Sequence, residues 1–141
     1  MKYVLDSSVA LKWVLPEADS VKATRLRDEY KNGVHELIAP DIFTPKIANA
    51  LASAERQGRI KTGESAIFLY DVIRAAPVLH PTPPLLLRSM ALSIATRRAV
   101  YDCIYLVLAE AERCELVTAD DQFARGLRSS YPFIVSLVAL P

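Results

Sequence analysis

Three aspartates stand where acids do chemistry. Asp6 closes the apolar run Tyr3-Val4-Leu5, and Asp120 follows Leu116-Val117-Thr118-Ala119 in the same way. Both patterns read as a buried β-strand whose carboxyl end delivers an acid to a loop. Open α/β sheets place ligand sites at the carboxyl ends of their strands. Two acids delivered so, joined by Asp102 in Tyr101-Asp102-Cys103, make a set able to hold a hard divalent cation. Magnesium and manganese prefer oxygen ligands, and magnesium keeps several waters and takes one or two carboxylates directly. An ion so held lowers the pKa of a bound water and neutralises charge on a phosphoryl oxygen. Each acid also has a plainer reading. Asp6 and Asp120 fit helix N-caps, and Asp102 fits the positive end of a helix. Capping is the commoner role for any one of them; two of three at strand ends tips the set toward a site.

The elements that must position these acids follow from apolar spacing. Tyr3–Leu5 reads as the first strand and Val9–Leu15 as a short helix stopped by Pro16. Ser20 caps a helix to Lys31, which Asn32-Gly33 ends. Leu37–Ala39 is a second strand closed by Pro40. The next helix starts at Asp41 or at Thr44, where Thr-Pro suits an N-cap and first turn, and runs to Gln57. Further helices are expected over Thr62–Ala75, Pro83–Arg98, Tyr101–Cys114 and Asp121–Leu127. Strands are expected between Pro77 and Pro81, over Leu116–Thr118 and over Phe133–Leu137. Short, non-alternating strands interleaved with helices predict a parallel sheet covered on both faces, a three-layer α/β/α sandwich. With neither repeats nor linkers, residues 1–141 read as a single domain.

Composition sets outer bounds. At 52% hydrophobic the chain carries enough apolar matter to fold. Seventeen basic side chains against 16 acids leave +1, so net charge does not mark a nucleic-acid binder, and that case needs local clustering. Cys103 and Cys114 fall on one expected helix, their α-carbons roughly 16 Å apart at about 1.5 Å per residue. A disulfide needs about 4.4–6.8 Å, so the two do not pair with each other, as suits a reducing cytoplasm. Asp6 interrupts the first apolar stretch before it reaches signal-peptide length, and no run approaches the ~18 residues that span a bilayer.

Several strings, in order, resemble the PIN-domain ribonucleases of the VapC toxin type. They are Leu5-Asp6-Ser7-Ser8-Val9-Ala10-Leu11-Lys12, Ala39-Pro40-Asp41, Ile47-Ala48-Asn49-Ala50-Leu51, Tyr101-Asp102-Cys103-Ile104-Tyr105-Leu106-Val107-Leu108-Ala109-Glu110 and Thr118-Ala119-Asp120. The resemblance spans essentially the whole chain. It implies a PIN-like fold, a Mg2+ or Mn2+ site, cleavage of single-stranded RNA or tRNA, a VapB-type antitoxin that blocks the site, and a homodimer. Position by position, Asp6, Asp102 and Asp120 match the family's metal-binding, catalytic aspartates. Ser7, Asn49 and Thr118 match its polar supports, with Asp121 as an added carboxylate.

Lys46 departs from that pattern. The family expects a glutamate immediately before the Ile-Ala-Asn-Ala-Leu string, and Thr44-Pro45-Lys46 stands here. Exchanging a carboxylate for an ammonium moves the local charge by two units. One such term at ~4 Å and an effective dielectric near 20 is on the order of 4 kcal/mol. Discounted severalfold, it still weakens divalent binding by about tenfold or more, at ~1.4 kcal/mol per decade. Three accounts stay open: a change that silences a toxic nuclease, a divergence toward a non-catalytic protein that binds antitoxin or RNA, or a side chain pointing to solvent that leaves the acids functional.

Arg56, Arg59 and Lys61 cluster at one helix–helix corner, Arg97 and Arg98 end another helix, and Arg125 and Arg128 follow Asp120. They are candidates for an RNA path, since phosphate contacts supply most non-specific affinity. Satisfying helix C-termini is the plainer role. Ile67, Leu69 and Tyr70 on the fourth helix suit a dimer contact. Other phosphoryl-transfer folds are disfavoured: Ser8 stands where a haloacid-dehalogenase-like enzyme needs its second aspartate, and only four glycines, none clustered, leave no phosphate loop.

Overall fold

The computed structural model describes all 141 residues. Five strands, β1 (Lys2–Leu5), β2 (Glu36–Pro40), β3 (Val78–His80), β4 (Glu115–Thr118) and β5 (Ile134–Ser136), form one sheet in the order β3-β2-β1-β4-β5. Every pairing is parallel, with Val4 opposite Ile38 on one side and Leu116 on the other. Val4 and Leu5 of the central strand and Leu116 and Val117 of its neighbour are wholly buried. Two covered faces explain why these strands read as continuous apolar runs instead of alternating ones.

Seven helices flank the sheet: α1 (Ser7–Leu11), α2 (Ser20–Lys31), α3 (Phe43–Arg56), α4 (Glu64–Arg74), α5 (Leu86–Thr96), α6 (Val100–Glu112) and α7 (Asp121–Leu127). The chain moves outward from β1 through β2 to β3, then crosses back to β4 and β5 on the other side of β1. Right-handed crossovers that reverse direction carry their helices to opposite faces. The α/β sandwich expected from the sequence is the fold found. The reversal falls between β1 and β4, so a crevice opens at their carboxyl ends. α6 supplies the heart of the core: Cys103 to Ala109 are all buried, and the helix packs on β1, β2 and β4.

Several boundaries differ from expectation, each for a local reason. α1 ends at Leu11, and residues to Leu15 form turns ahead of Pro16. α3 starts at Phe43 with neither Asp41 nor Thr44 capping it; the Asp41 carboxylate is instead engaged by the Thr82 hydroxyl. Ser20 does not cap α2, because its hydroxyl donates to the Glu17 carbonyl at 2.6 Å. The expected helix over Pro83–Arg98 is a 3-10 turn at Pro83–Leu85 followed by α5, and Arg97 ends it at φ 62°. α4 begins after Gly63, whose φ of 90° suits a residue without a Cβ. Glu55 seals that corner by accepting from the Gly63 and Ser65 amides, each at 3.1 Å, and from the Ser65 hydroxyl at 2.7 Å. No helix is long and apolar enough to cross a membrane.

Candidate active site

The largest cavity of the molecule, about 610 Å³, opens at the β1–β4 switch point. Asp6, Asp102 and Asp120 all line it, together with Ser7, Ser8, Lys46 and Asn49. Asp6 meets acids 96 and 114 positions further along the chain because β1, β4 and the first turn of α6 share one end of the sheet.

The strand side is held by hydroxyls. Asp6 follows β1, its amide donating to the Val117 carbonyl at 3.0 Å. Its Oδ2 accepts from Ser8 Oγ at 2.7 Å and from Thr118 Oγ1 at 2.8 Å. The same two hydroxyl oxygens accept backbone amides in turn, Ser8 that of Ala119 and Thr118 that of Asp120, both at 3.0 Å. The network ties the ends of β1 and β4 together and fixes one carboxylate oxygen of Asp6. Asp6 precedes α1 but does not cap it. Asp120 does cap α7, its Oδ1 accepting from the Phe123 amide at 3.0 Å, so the capping reading and the cavity reading hold for the same residue.

The helix side is held by charge. Asp102 lies in the first turn of α6, where the helix dipole favours an anion. Burial nevertheless pushes its carboxyl above the usual range; Lys46 pulls it back, Asp6 and Asp120 push it further up, and Arg98 pulls it down. Lys46 reaches in from α3: its Nζ lies 3.8 Å from Asp102 Oδ1 and 5.1 Å over the centre of the Tyr105 ring. Its side chain is only 32% exposed, which removes the account in which it points to solvent. Tyr105 is fully buried beneath, its hydroxyl lying near Ser7 without a hydrogen-bond partner. Burial first, and then the charges of Asp6 and Asp102, hold that phenol strongly in its neutral form.

As arranged, this donor set does not fit a divalent ion. The three carboxylates face one cavity, yet no three acidic, imidazole or thiol groups come close enough to share an ion, and an ammonium stands among them.

Of the expected supports, Ser7 and Asn49 line the cavity and Thr118 binds Asp6. Asp121 does not join them: the first turn of α7 rotates it away, and its Oδ1 accepts from Ser136 Oγ at 3.2 Å. Ser8 is the residue that sequence reading passed over; the signal was a hydroxyl two positions after Asp6, beyond the start of α1. Tyr101 is a second, exposed and lining the cavity. None of Arg56, Arg59, Arg97, Arg98 and Arg125 lines the cavity. Arg98 lies nearby, its guanidinium 5.7 Å over the Phe123 ring and donating to the Gln122 carbonyl at 2.9 Å. Arg125 donates to the Asp121 carbonyl within its own helix.

Known proteins match both the sequence and the fold of this chain. The PIN-domain profile matches residues 3–126. Ribonuclease VapC3 of Pyrobaculum aerophilum is 30% identical over 127 residues, covering 88% of this chain and 93% of that protein. The chain belongs to the PIN-domain family and is homologous to the VapC ribonuclease toxins. Two crystal structures share its fold. PAE2754 from Pyrobaculum aerophilum superposes with a TM-score of 0.69 at 22% identity, covering 98% of this chain and 93% of its own. VapBC2 from Rickettsia felis, bound to a DNA fragment from its promoter, gives 0.65 at 13% identity, with 96% and 97% covered. PIN domains are typically metal-dependent, which sets the Lys46 arrangement apart.

Proposed function

We propose that this chain is a VapC-type endoribonuclease, the toxin of a toxin–antitoxin pair, whose cutting activity is held down by Lys46. Residues 1–141 act as one PIN-like domain, in the cytoplasm and as a homodimer. The substrate is single-stranded RNA, tRNA included, and the partner is a VapB-type antitoxin covering the cavity. Its relation to a VapC ribonuclease supports the substrate class. Asp6, Asp102 and Asp120 carry the catalytic role, with Ser8 and Thr118 fixing Asp6 and Asn49 presenting an amide beside them. One observation carries the impairment: the Lys46 ammonium stands 3.8 Å from Asp102 inside the cavity. A cation there opposes the magnesium or manganese that this family's chemistry uses, and an attacking water gains nothing from an ammonium that has no proton-accepting lone pair.

The same lysine supports a second reading, a PIN-like protein that binds antitoxin or RNA without cleaving. RNA cleavage with magnesium, measured for the wild type and for Lys46→Glu, tests both. The first reading expects the glutamate variant to cut at least about tenfold faster. Equal measurable rates remove the inhibitory role of Lys46, and no cleavage by either leaves the binding protein.

A further inference from the structure

The cavity has a cation of its own. The Lys46 ammonium is gripped from two directions, by Asp102 Oδ1 at 3.8 Å and by the face of Tyr105 at 5.1 Å. Tyr105 cannot yield, because its ring is fully buried in the core. A ring face attracts a cation through its quadrupole, and more strongly where water is partly excluded. Opposite stand Asp6 and Asp120, the other two anions of the cavity. Three carboxylates in one cavity repel each other unless a cation lies between them. In acid-rich pockets a bound metal ion is often the largest local charge. Here no three acids are arranged to hold an ion, while the ammonium is the strongest influence that offsets the burial of Asp102.

We propose that the Lys46 ammonium is the resident counter-ion of this cavity, pairing with Asp102 in the place of a divalent ion, in a pocket that Asp6 and Asp120 also line. The folded protein therefore needs no magnesium or manganese and takes up neither at about millimolar concentration, and loss of the ammonium frees the three side chains to gather on one. The inference rests on the reading of this cavity as the family's site, and it adds what the lysine does there: it stabilises the metal-free fold as well as opposing the ion. A methionine at position 46 keeps the length and the contact with Tyr105 while removing the charge, leaving the three anions in search of a cation.

Thermal melting of the full chain decides it. Wild type, Lys46→Met and Lys46→Met/Asp102→Asn are melted in chelator and in about 1 mM manganese at matched ionic strength. The wild type is expected to melt at the same temperature in both. Lys46→Met is expected to melt lower in chelator and to rise by about 2–8 °C with manganese. The double variant, with one anion fewer, is expected to melt above Lys46→Met in chelator and to lose most of the manganese response. A wild type that manganese raises as far as Lys46→Met, or a Lys46→Met chain that does not respond to manganese, overturns the proposal. Should Lys46→Met fail to fold, the wild type decides alone: no rise supports the counter-ion, and a rise overturns it. The two readings fail separately. A manganese-responsive wild type beside a Lys46→Glu chain that cuts RNA removes the counter-ion and keeps the nuclease site. The expected melts beside a Lys46→Glu chain that cuts nothing do the reverse.

Discussion

The two walls of the cavity hold their acids by different means. On the strand wall, Asp6 is fixed by two hydroxyls that are themselves anchored by the Ala119 and Asp120 amides. Position is set there by hydrogen bonds from neutral donors to a single carboxylate. On the helix wall, Asp102 is half-buried at the start of α6 and faces Lys46 across 3.8 Å. Charge there is balanced by a side chain from a different helix, on the end of a flexible stem. On the proposal above, the helix wall sets which cation the cavity holds, and it does so through one residue, Lys46.

Breaking the strand wall should have the larger effect on stability. Thr118 is completely buried, and its hydroxyl both donates to Asp6 and accepts the Asp120 amide. Thr118→Val keeps the shape and removes the hydroxyl's bonds to the Asp6 carboxylate and the Asp120 amide, a loss of about 1–3 kcal/mol. Urea denaturation at neutral pH measures it. A loss below about 0.5 kcal/mol, the range of an ordinary surface change, would mean that the hydroxyl network does not hold the strand ends.

Breaking the helix wall should act more gently and with the opposite sign. The Asp102 carboxyl titrates above its usual value in the folded protein, so the fold favours the neutral form. Stability from this group is therefore complete below about pH 4, near the unfolded value, and is lost as pH rises through the folded one. Asp102→Asn removes the charge that the fold disfavours. It should denature later than wild type at neutral pH, with the gain shrinking as pH falls toward the unfolded carboxyl range. A variant less stable than wild type at neutral pH would show that the Lys46 pair outweighs burial there.

The two walls also differ in how much of them the sequence reveals. Asp6 and Asp120 were legible because a buried parallel strand leaves an unbroken apolar run and the acid after it marks the carboxyl end. Lys46 was legible as a departure, since resemblance to the VapC proteins expects a glutamate at that position. Where its side chain points was not, because that depends on α3 meeting α6, a contact between segments over fifty residues apart. Ser8 was missed in favour of Ser7 because the tight start of α1 decides which hydroxyl turns to Asp6. Asp121 was misplaced for a similar reason: one step of helix rotation sends it to Ser136 instead of the cavity. The arginines illustrate the general limit. Their clustering in sequence says nothing about which face of the molecule each one reaches.

The central claim is that a lysine occupies the place of charge that a divalent ion would need. Calorimetric titration of manganese into the wild type and into Lys46→Glu tests it without RNA or partner. The account predicts that Lys46→Glu binds manganese at least about tenfold more tightly than wild type, a difference of ~1.4 kcal/mol or more. Equal affinities in the two chains would contradict it.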